Sequence, residues 1–454
     1  MLSTPIVPLT PHIAVVGGGI SGLAAAWRLR ERGAAVTLFE AQGETGGVIR
    51  SVHRDGFLVD EGPNTLVARS QRVVNTLAAL GLDEQQVWAS EAAKARYVVR
   101  GGRLVPVPTS PRSFATTPLL SARAKLRLLA EPFVRAGTDE DESLASFVRR
   151  RLGAEVLDYA VNPFVAGVWA AAPERLAVRH AFPALHAMER ERGSLARGLV
   201  HRMRTRPPGP RLSARPFSFA GGAQALPDAF AHRLGDAVRL QTSVTGLERT
   251  GEGWTLTTRA DGGEREGRFD GVVWAAPLDR LPEIEAGRAV PPVSHSAVSV
   301  LALGFRRADV AHPLDGFGVL IPEREPFRLL GALFSSTLFS NRAPEGHVLL
   351  TCFAGGTRHA ADALLPTDDL VALALRDLGT LLGVRGDPVF VHRKRWDRAI
   401  PQYDTDYDRV LGTLSHLEAA NPGLHFAGNT RGGISVGDAL ETGLEAADRL
   451  AGAG

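Results

Sequence analysis

The spacing of apolar and polar positions divides the 454-residue chain into stretches of unlike period. An unbroken apolar run, Ile13-Ala-Val-Val16, passes straight into Gly17-Gly-Gly-Ile-Ser-Gly22 and then into a helical segment, 23–32, that stops at Gly33. A second apolar run, 35–39, ends on an acid, Glu40. Strand, glycine turn, helix and strand in so short a space read as one βαβ unit. Apolar residues meet another glycine turn in Gly56-Phe-Leu-Val-Asp60-Glu-Gly62-Pro63-Asn64. From 70 to about 203 the period is mainly helical. Val73, Val74, Leu77 and Leu80 recur at helical spacing, and Leu144, Phe147, Val148 and Leu152 repeat it ahead of Gly153, with Asp141 or Ser143 as the cap. Between them, 118–129 is basic and amphipathic and ends near Pro132. It reads either as a face resting on a membrane or as a core helix with a solvated basic side.

A linker rich in proline and arginine, 204–216, marks a boundary, and strand patterns return after it at 238–244, 254–258 and 271–277. The last is an apolar run suited to a buried parallel sheet. The stretches 297–303 and 348–353 suggest a second, mostly antiparallel sheet, and a glycine-rich turn after His425-Phe-Ala-Gly428-Asn429 precedes a helix at about 438–450. The expected fold is α/β. A Rossmann-like dinucleotide-binding domain is assembled from 10–69, 210–292 and 392–454; a helical insertion occupies 70–205 and a substrate-binding sheet domain 293–391.

Composition narrows this picture. A hydrophobic content of 44% and a mean hydropathy of −0.02 describe a globular chain, and no 18-residue uncharged apolar run supports a spanning helix. The first ten residues show neither a basic nor an apolar leader region, and a lone Cys352 cannot form an internal disulfide, so a cytoplasmic setting is expected. That lone cysteine, and 13 histidines without ligand spacing, give no reason to expect a metal. Net charge is +3, and only three of the 52 basic side chains are lysines. The basic residues are spread along the chain rather than grouped with aromatics, so nucleic acid is not an expected partner.

The glycine turn carries the first chemistry. In a dinucleotide fingerprint, Gly17 makes the tight turn, Gly19 lets backbone approach a pyrophosphate, and Gly22 lets the helix pack closely. The unpaired N–H groups and positive dipole end of the helix then favour the phosphates, and Glu40, 18 residues after Gly22, is placed to take the ribose hydroxyls. These residues alone fit NAD or FAD.

Glu40-Ala41-Gln-Gly-Glu44-Thr-Gly46-Gly47 resembles the EAxxRxGG segment of the flavin amine oxidase superfamily, and Phe426-Ala-Gly-Asn429 resembles that group's C-terminal flavin segment. Within the superfamily the chain resembles the oxygen-dependent protoporphyrinogen oxidase family over nearly its whole length. The motifs are Gly62-Pro63-Asn64, Arg96-Tyr-Val-Val-Arg100, Gly167-Val-Trp-Ala-Ala171, Phe182-Pro-Ala-Leu185, Phe219-Ala-Gly-Gly222, Gly316-Phe-Gly-Val-Leu320, and Trp396 followed by Ile400-Pro-Gln-Tyr403. The resemblance implies FAD, held at Gly17, Gly18, Gly19, Ile20, Ser21 and Gly22; at Glu40, Ala41, Gly47 and Val48; at Gly62, Pro63, Asn64 and Thr65; and at Val244, Trp396, Asn429, Ile434, Ser435 and Val436. It implies substrate contacts at Asn64, Arg96, Phe317, Leu320 and Phe353. A guanidinium pairs a porphyrinogen propionate through two parallel hydrogen bonds, and the phenylalanines and leucine would wall the macrocycle. The bland readings are a surface arginine, core aromatics and a turn-closing asparagine.

The implied reaction is oxidation of protoporphyrinogen IX by O2, giving H2O2, with no obligatory catalytic acid or base on the protein because the flavin carries the chemistry. A homodimer and peripheral contact with the inner face of the cell membrane belong to the same expectation. Glu44, where the family usually has arginine, Ala170-Ala171 and Gly437-Asp438 depart from its pattern. Coproporphyrinogen III oxidation, a carotenoid desaturase and a flavin-free carrier resembling the GDP-dissociation inhibitors are the alternatives. An amine oxidase generally carries a lysine in the substrate-domain sheet; 294–305 holds none, and all three lysines are expected away from that sheet.

Overall fold

The computed structural model describes residues 10–205, 212–251, 253–284 and 289–452. Part of the expected linker at 204–216 and most of the first ten residues lie outside them. A five-stranded parallel sheet forms the first layer, in the order Leu424–Phe426, Gly271–Trp274, His12–Val16, Ala35–Phe39, Val238–Arg239. It draws its strands from both ends and the middle of the chain. Its central strands are apolar because both faces are covered: Ala14, Val15, Val272 and Val273 have no solvent exposure. Each large side chain buried in this way contributes roughly 1.5–3 kcal/mol.

The helix Ile20–Glu31 packs on this sheet side by side with the C-terminal helix Val436–Gly452, which touches the strands Gly271–Trp274 and Leu424–Phe426. Small residues set how near they come. A Cβ on Gly443 would collide with the carbonyl of Ser21, and the Ser21 hydroxyl donates to the carbonyl of Ala439 at 2.7 Å. Both helix N-termini therefore reach the same edge of the sheet.

A seven-stranded, mostly antiparallel sheet forms the second body, in the order Phe390–Pro401, His295–Arg306, His347–Gly355, Gly331–Phe334, Gly316–Leu320, Ala95–Arg100, Arg103–Pro106. One face packs on the helix Thr367–Leu382 through Leu301, Leu303, Leu350 and Cys352 against Leu370, Ala374 and Leu378. Burial pushes the Cys352 thiol up to about 12, so it stays protonated and inert. The stretch 70–203 is mainly helical, with Gln86–Trp88, Ala95–Arg100 and Arg103–Pro106 as strands within it, the last two joining this sheet. One expectation fails, since 238–244 is not one strand: Val238–Arg239 ends the parallel sheet, Gln241 turns with φ +52°, and Ser243–Thr250 starts a separate three-stranded antiparallel sheet.

Short helices complete the insertion. Ser143, rather than Asp141, caps Leu144–Arg151 by accepting from the Ser146 amide. Arg151 is fully buried and reaches Glu131 at 3.0 Å and Glu189, tying these helices to the helix Leu195–Arg204 through Ser194.

Candidate functional site

Gly17 has φ +104°, and a Cβ there would come within 2.8 Å of the Ala276 amide nitrogen; one on Gly22 would collide with the Gly17 carbonyl. Gly19, by contrast, faces open space with nothing within 4 Å of where its Cβ would stand. The turn thus closes on itself at two glycines and leaves the third facing open space at the start of a helix, where anions bind. Glu40 accepts from the Gly18 amide at 2.6 Å and the Gln42 amide at 2.8 Å, which fixes the carboxylate at the strand end and leaves each oxygen a further lone pair. Ala41, Gly47 and Val48 are exposed beside it, and Val244 opens the strand that follows the 241 turn. Glu44, at the departure from the family pattern, pairs with Arg50, whose Nε also donates to the Gly47 carbonyl at 3.1 Å. The pair clasps the 44–50 segment, whose Gly46 amide donates to the Gly18 carbonyl at 2.8 Å.

At the other end, Trp396 Nε1 donates to the Glu61 carbonyl at 2.7 Å, immediately before the turn of Gly62, Pro63, Asn64 and Thr65. Asn64 Nδ2 donates to the Gly62 carbonyl at 2.8 Å, so this side chain does close its own turn. Asn429 follows Gly428, which has φ +123° and open space beside it, and Ile434, Ser435 and Val436 lead into the last helix. Ser435 and Asp438 cap that helix mutually, at 2.6 and 3.1 Å.

Register places the remaining residues. Val98 is opposite Leu320, Leu320 opposite Gly331, Gly331 opposite Phe353, Phe353 opposite Val300, and Val300 opposite Lys394. Cross-strand partners share a face, as do residues two apart on one strand. Arg96, Leu320, Phe353, Lys394 and Trp396 therefore stand on one face of the seven-stranded sheet. Leu320 and Phe353 are half-buried there; Gly167 of the helix Asn162–Trp169 lies against Leu320. The Arg96 guanidinium sits 5.0 Å over the Phe317 ring and, among the described residues, has no carboxylate partner. Arg100, four residues on along the same face, is spent on Glu155 at 2.7 Å and on the Leu119 carbonyl.

Sequence reasoning missed Lys394. Contrary to the expectation that all lysines lie away from this sheet, its ammonium is 4.7 Å from the Trp396 ring centroid and 3.4 Å from Glu61. Glu61 also bonds His392 at 2.8 Å, and that hydrogen bond, against the cost of burial and with help from Lys394, holds its carboxyl below the ordinary carboxylate range. Only strand register reveals the placement, because nothing local marks position 394.

A parallel nucleotide layer with two glycine turns, joined to an antiparallel sheet that presents aromatic and cationic side chains, defines a flavin oxidoreductase. The chain belongs to the flavin-containing amine oxidoreductase family, whose pattern matches residues 20–451. With the dinucleotide cradle in place, the cofactor is FAD. The chain is 38% identical to protoporphyrinogen oxidase 2, chloroplastic/mitochondrial, of Arabidopsis thaliana, covering 96% of this chain and 93% of that protein. It is 28% identical to coproporphyrinogen III oxidase of Bacillus subtilis strain 168, over 96% and 97%. A crystal structure from Exiguobacterium sp. 255-15 superposes with a TM-score of 0.80 at 22% identity, over 97% and 98% of the two chains, and shares the fold.

Proposed function

We propose that this protein oxidises protoporphyrinogen IX to protoporphyrin IX, with O2 as electron acceptor and H2O2 as co-product. The observation that carries the reading is Arg96, a guanidinium without a carboxylate partner among the described residues, held over Phe317 on the same sheet face as Leu320, Phe353 and Trp396. It suits a flat apolar macrocycle that bears carboxylates at one edge. The near full-length likeness to the Arabidopsis enzyme supports the same substrate. Coproporphyrinogen III is the second reading, favoured by the Bacillus relative. Four carboxylates call for more free cations, and Arg100 on this face is already paired with Glu155.

In this reading, residues 17–22 with Glu40 and the exposed segment of Ala41, Gly47 and Val48 hold the adenosine diphosphate half of FAD, with the Val244 backbone beside the adenosine. The turn of residues 62–65, Trp396, Asn429 and residues 434–436 hold the ring half. Bound there, FAD supplies the hydride acceptor. Arg96 takes a propionate, Phe317, Leu320 and Phe353 limit the macrocycle's tilt and exclude water, and Asn64 offers a carbonyl oxygen toward a pyrrole N–H. Orientation of a bridging carbon carries much of the rate, and no side chain serves as an obligatory acid or base.

A membrane-facing role for the insertion belongs to the same proposal. Leu126, Leu129, Phe133 and Met203 are 67, 71, 85 and 71% exposed and lie among Arg123, Lys125, Arg127, Arg202 and Arg204. No helix of the described residues is long and apolar enough to cross a membrane. The deciding experiment is aerobic turnover of the purified yellow protein on protoporphyrinogen IX and coproporphyrinogen III in parallel, following porphyrin fluorescence and peroxide. Faster oxidation of the first is expected; preference for the second moves the substrate and keeps the chemistry. Sedimentation of the same sample tests the homodimer.

A further inference from the structure

The turn at residues 428–433 precedes the segment read above as a flavin contact; within it the Arg431 amide donates to the Gly428 carbonyl at 3.0 Å, and the Arg431 side chain pairs with Glu418 at 2.6 Å. Gly428 and Gly433 have φ of +123° and +130°, and glycine backbone is free to leave such values. Two buried tyrosines fix the turn from outside. The Tyr403 hydroxyl donates to the Asn429 carbonyl and accepts from the Gly433 amide at 3.1 Å, spanning the turn; the Tyr407 hydroxyl donates to the Thr430 carbonyl at 2.6 Å. Their rings stack at 4.3 Å and are 4% and 2% exposed. Burial pushes both phenols well above their ordinary range, so both remain donors at any working pH.

Tyr403 also touches the substrate side. Its ring meets Trp169 edge-on at 4.9 Å, the neighbouring Gln402 donates to the Trp169 carbonyl at 3.2 Å, and the Tyr403 carbonyl accepts from the Ala177 amide at 2.8 Å. Trp169 ends the helix whose Gly167 lies against Leu320. One residue thus joins the wall of the candidate substrate face to the turn beside the candidate flavin ring.

We propose that Tyr403 is a positioning residue: it sets the 429–433 turn so that the backbone amides of residues 434–436 face the flavin ring, and through them it tunes FAD affinity and reduction potential. The inference rests on the flavin reading of Ile434, Ser435 and Val436. Amide dipoles aimed at the ring favour the electron-rich reduced form, so a loosened turn weakens binding and lowers the potential.

Tyr403→Phe keeps the ring stack and removes both turn-spanning hydrogen bonds. FAD titration of the apoprotein, the midpoint potential of the bound flavin and steady-state kinetics read the result. The expected outcome is about tenfold weaker FAD binding, a more negative potential, and a fall in kcat larger than any change in KM. Unchanged affinity and potential in a folded variant overturn the proposal while leaving the flavin reading intact. A wild-type protein that binds no FAD overturns both. If Tyr403→Phe does not fold, Tyr407→Phe, which loses one bond to the same turn, decides: a smaller shift in the same direction is expected, and no shift overturns the proposal.

Discussion

At the scale of single residues, the site separates charges that hold the protein together from charges left for a ligand. Arg50, Arg100, Arg151 and Arg342 each have a carboxylate partner; among the described residues Arg96 has only an aromatic face. A charge-assisted bond of this kind is worth roughly 1.5–3 kcal/mol, and the exposure of Arg96 places it at the low end. Arg96→Ala is therefore expected to raise KM for protoporphyrinogen about tenfold with kcat little changed, while Arg96→Lys recovers only part, because an ammonium cannot reproduce the two-pronged geometry. Steady-state kinetics distinguish this from a fall in kcat alone, which would remove Arg96 from substrate binding. Glu40 has a different task, since it accepts two backbone amides at the strand end. Glu40→Ala leaves both without their acceptor and removes the ribose partner, so FAD affinity is expected to fall by at least about tenfold, read by calorimetric titration of apoprotein whose circular dichroism is unchanged.

At the scale of elements, the insertion is held by a buried ion network beside an apolar core that includes Leu144, Phe147, Val148 and Leu176. Burial opposes ionisation of Glu131 most strongly, but the Ser194 hydroxyl, the Leu195 and Ala196 amides and Arg151 outweigh it and leave the carboxyl below its ordinary range; Glu189 behaves likewise through Arg150 and Arg151. Carboxyls depressed by folding contribute stability that is complete above their unfolded pKa and lost as pH falls through their folded values. The insertion is expected to unfold in acid below the ordinary carboxylate range, ahead of the parallel sheet, which pH-dependent hydrogen exchange resolves. Arg151→Leu removes the shared cation from two buried acids and is expected to cost roughly 3–5 kcal/mol, measured by urea denaturation. None of this network was legible in the sequence, since its members are scattered from 131 to 194 without period. The parallel strands were legible because each is an apolar run beside a glycine turn. The edge strands at 95–106 were not, as neither reaches the length at which alternation outweighs its helical surroundings. Arg96 was found through a motif, but Lys394 and Trp396 share only its face of the sheet, five strands away and about 300 residues on in sequence, and hydrogen-bond register alone shows it.

At the scale of the whole molecule, the two helices Ala122–Leu129 and Leu195–Arg204 both pack on the turn that begins at Glu131, whose carboxylate accepts from the Leu195 amide at 2.9 Å. Leu126, Leu129, Phe133, Leu199, Val200 and Met203 of these elements are all exposed, with Arg123, Arg127, Arg202 and Arg204 close to them in sequence. Apolar side chains entering a headgroup layer beside basic ones give binding that depends on anionic lipid and weakens with salt. The protein is expected to co-sediment with vesicles containing phosphatidylglycerol, and less with vesicles of phosphatidylcholine alone. Exchanging Leu129, Phe133 and Met203 together for serine is expected to reduce that binding at least about tenfold, since each buried apolar side chain is worth more than 1 kcal/mol, and to leave FAD content and turnover of dispersed substrate unchanged. Exchanging Arg123 and Arg127 for glutamine instead should flatten the salt dependence while sparing part of the binding. Equal sedimentation of wild-type and triple-serine proteins would assign the patch to a different surface, a protein partner or a second copy of this chain, and sedimentation equilibrium of the two proteins without lipid separates those outcomes.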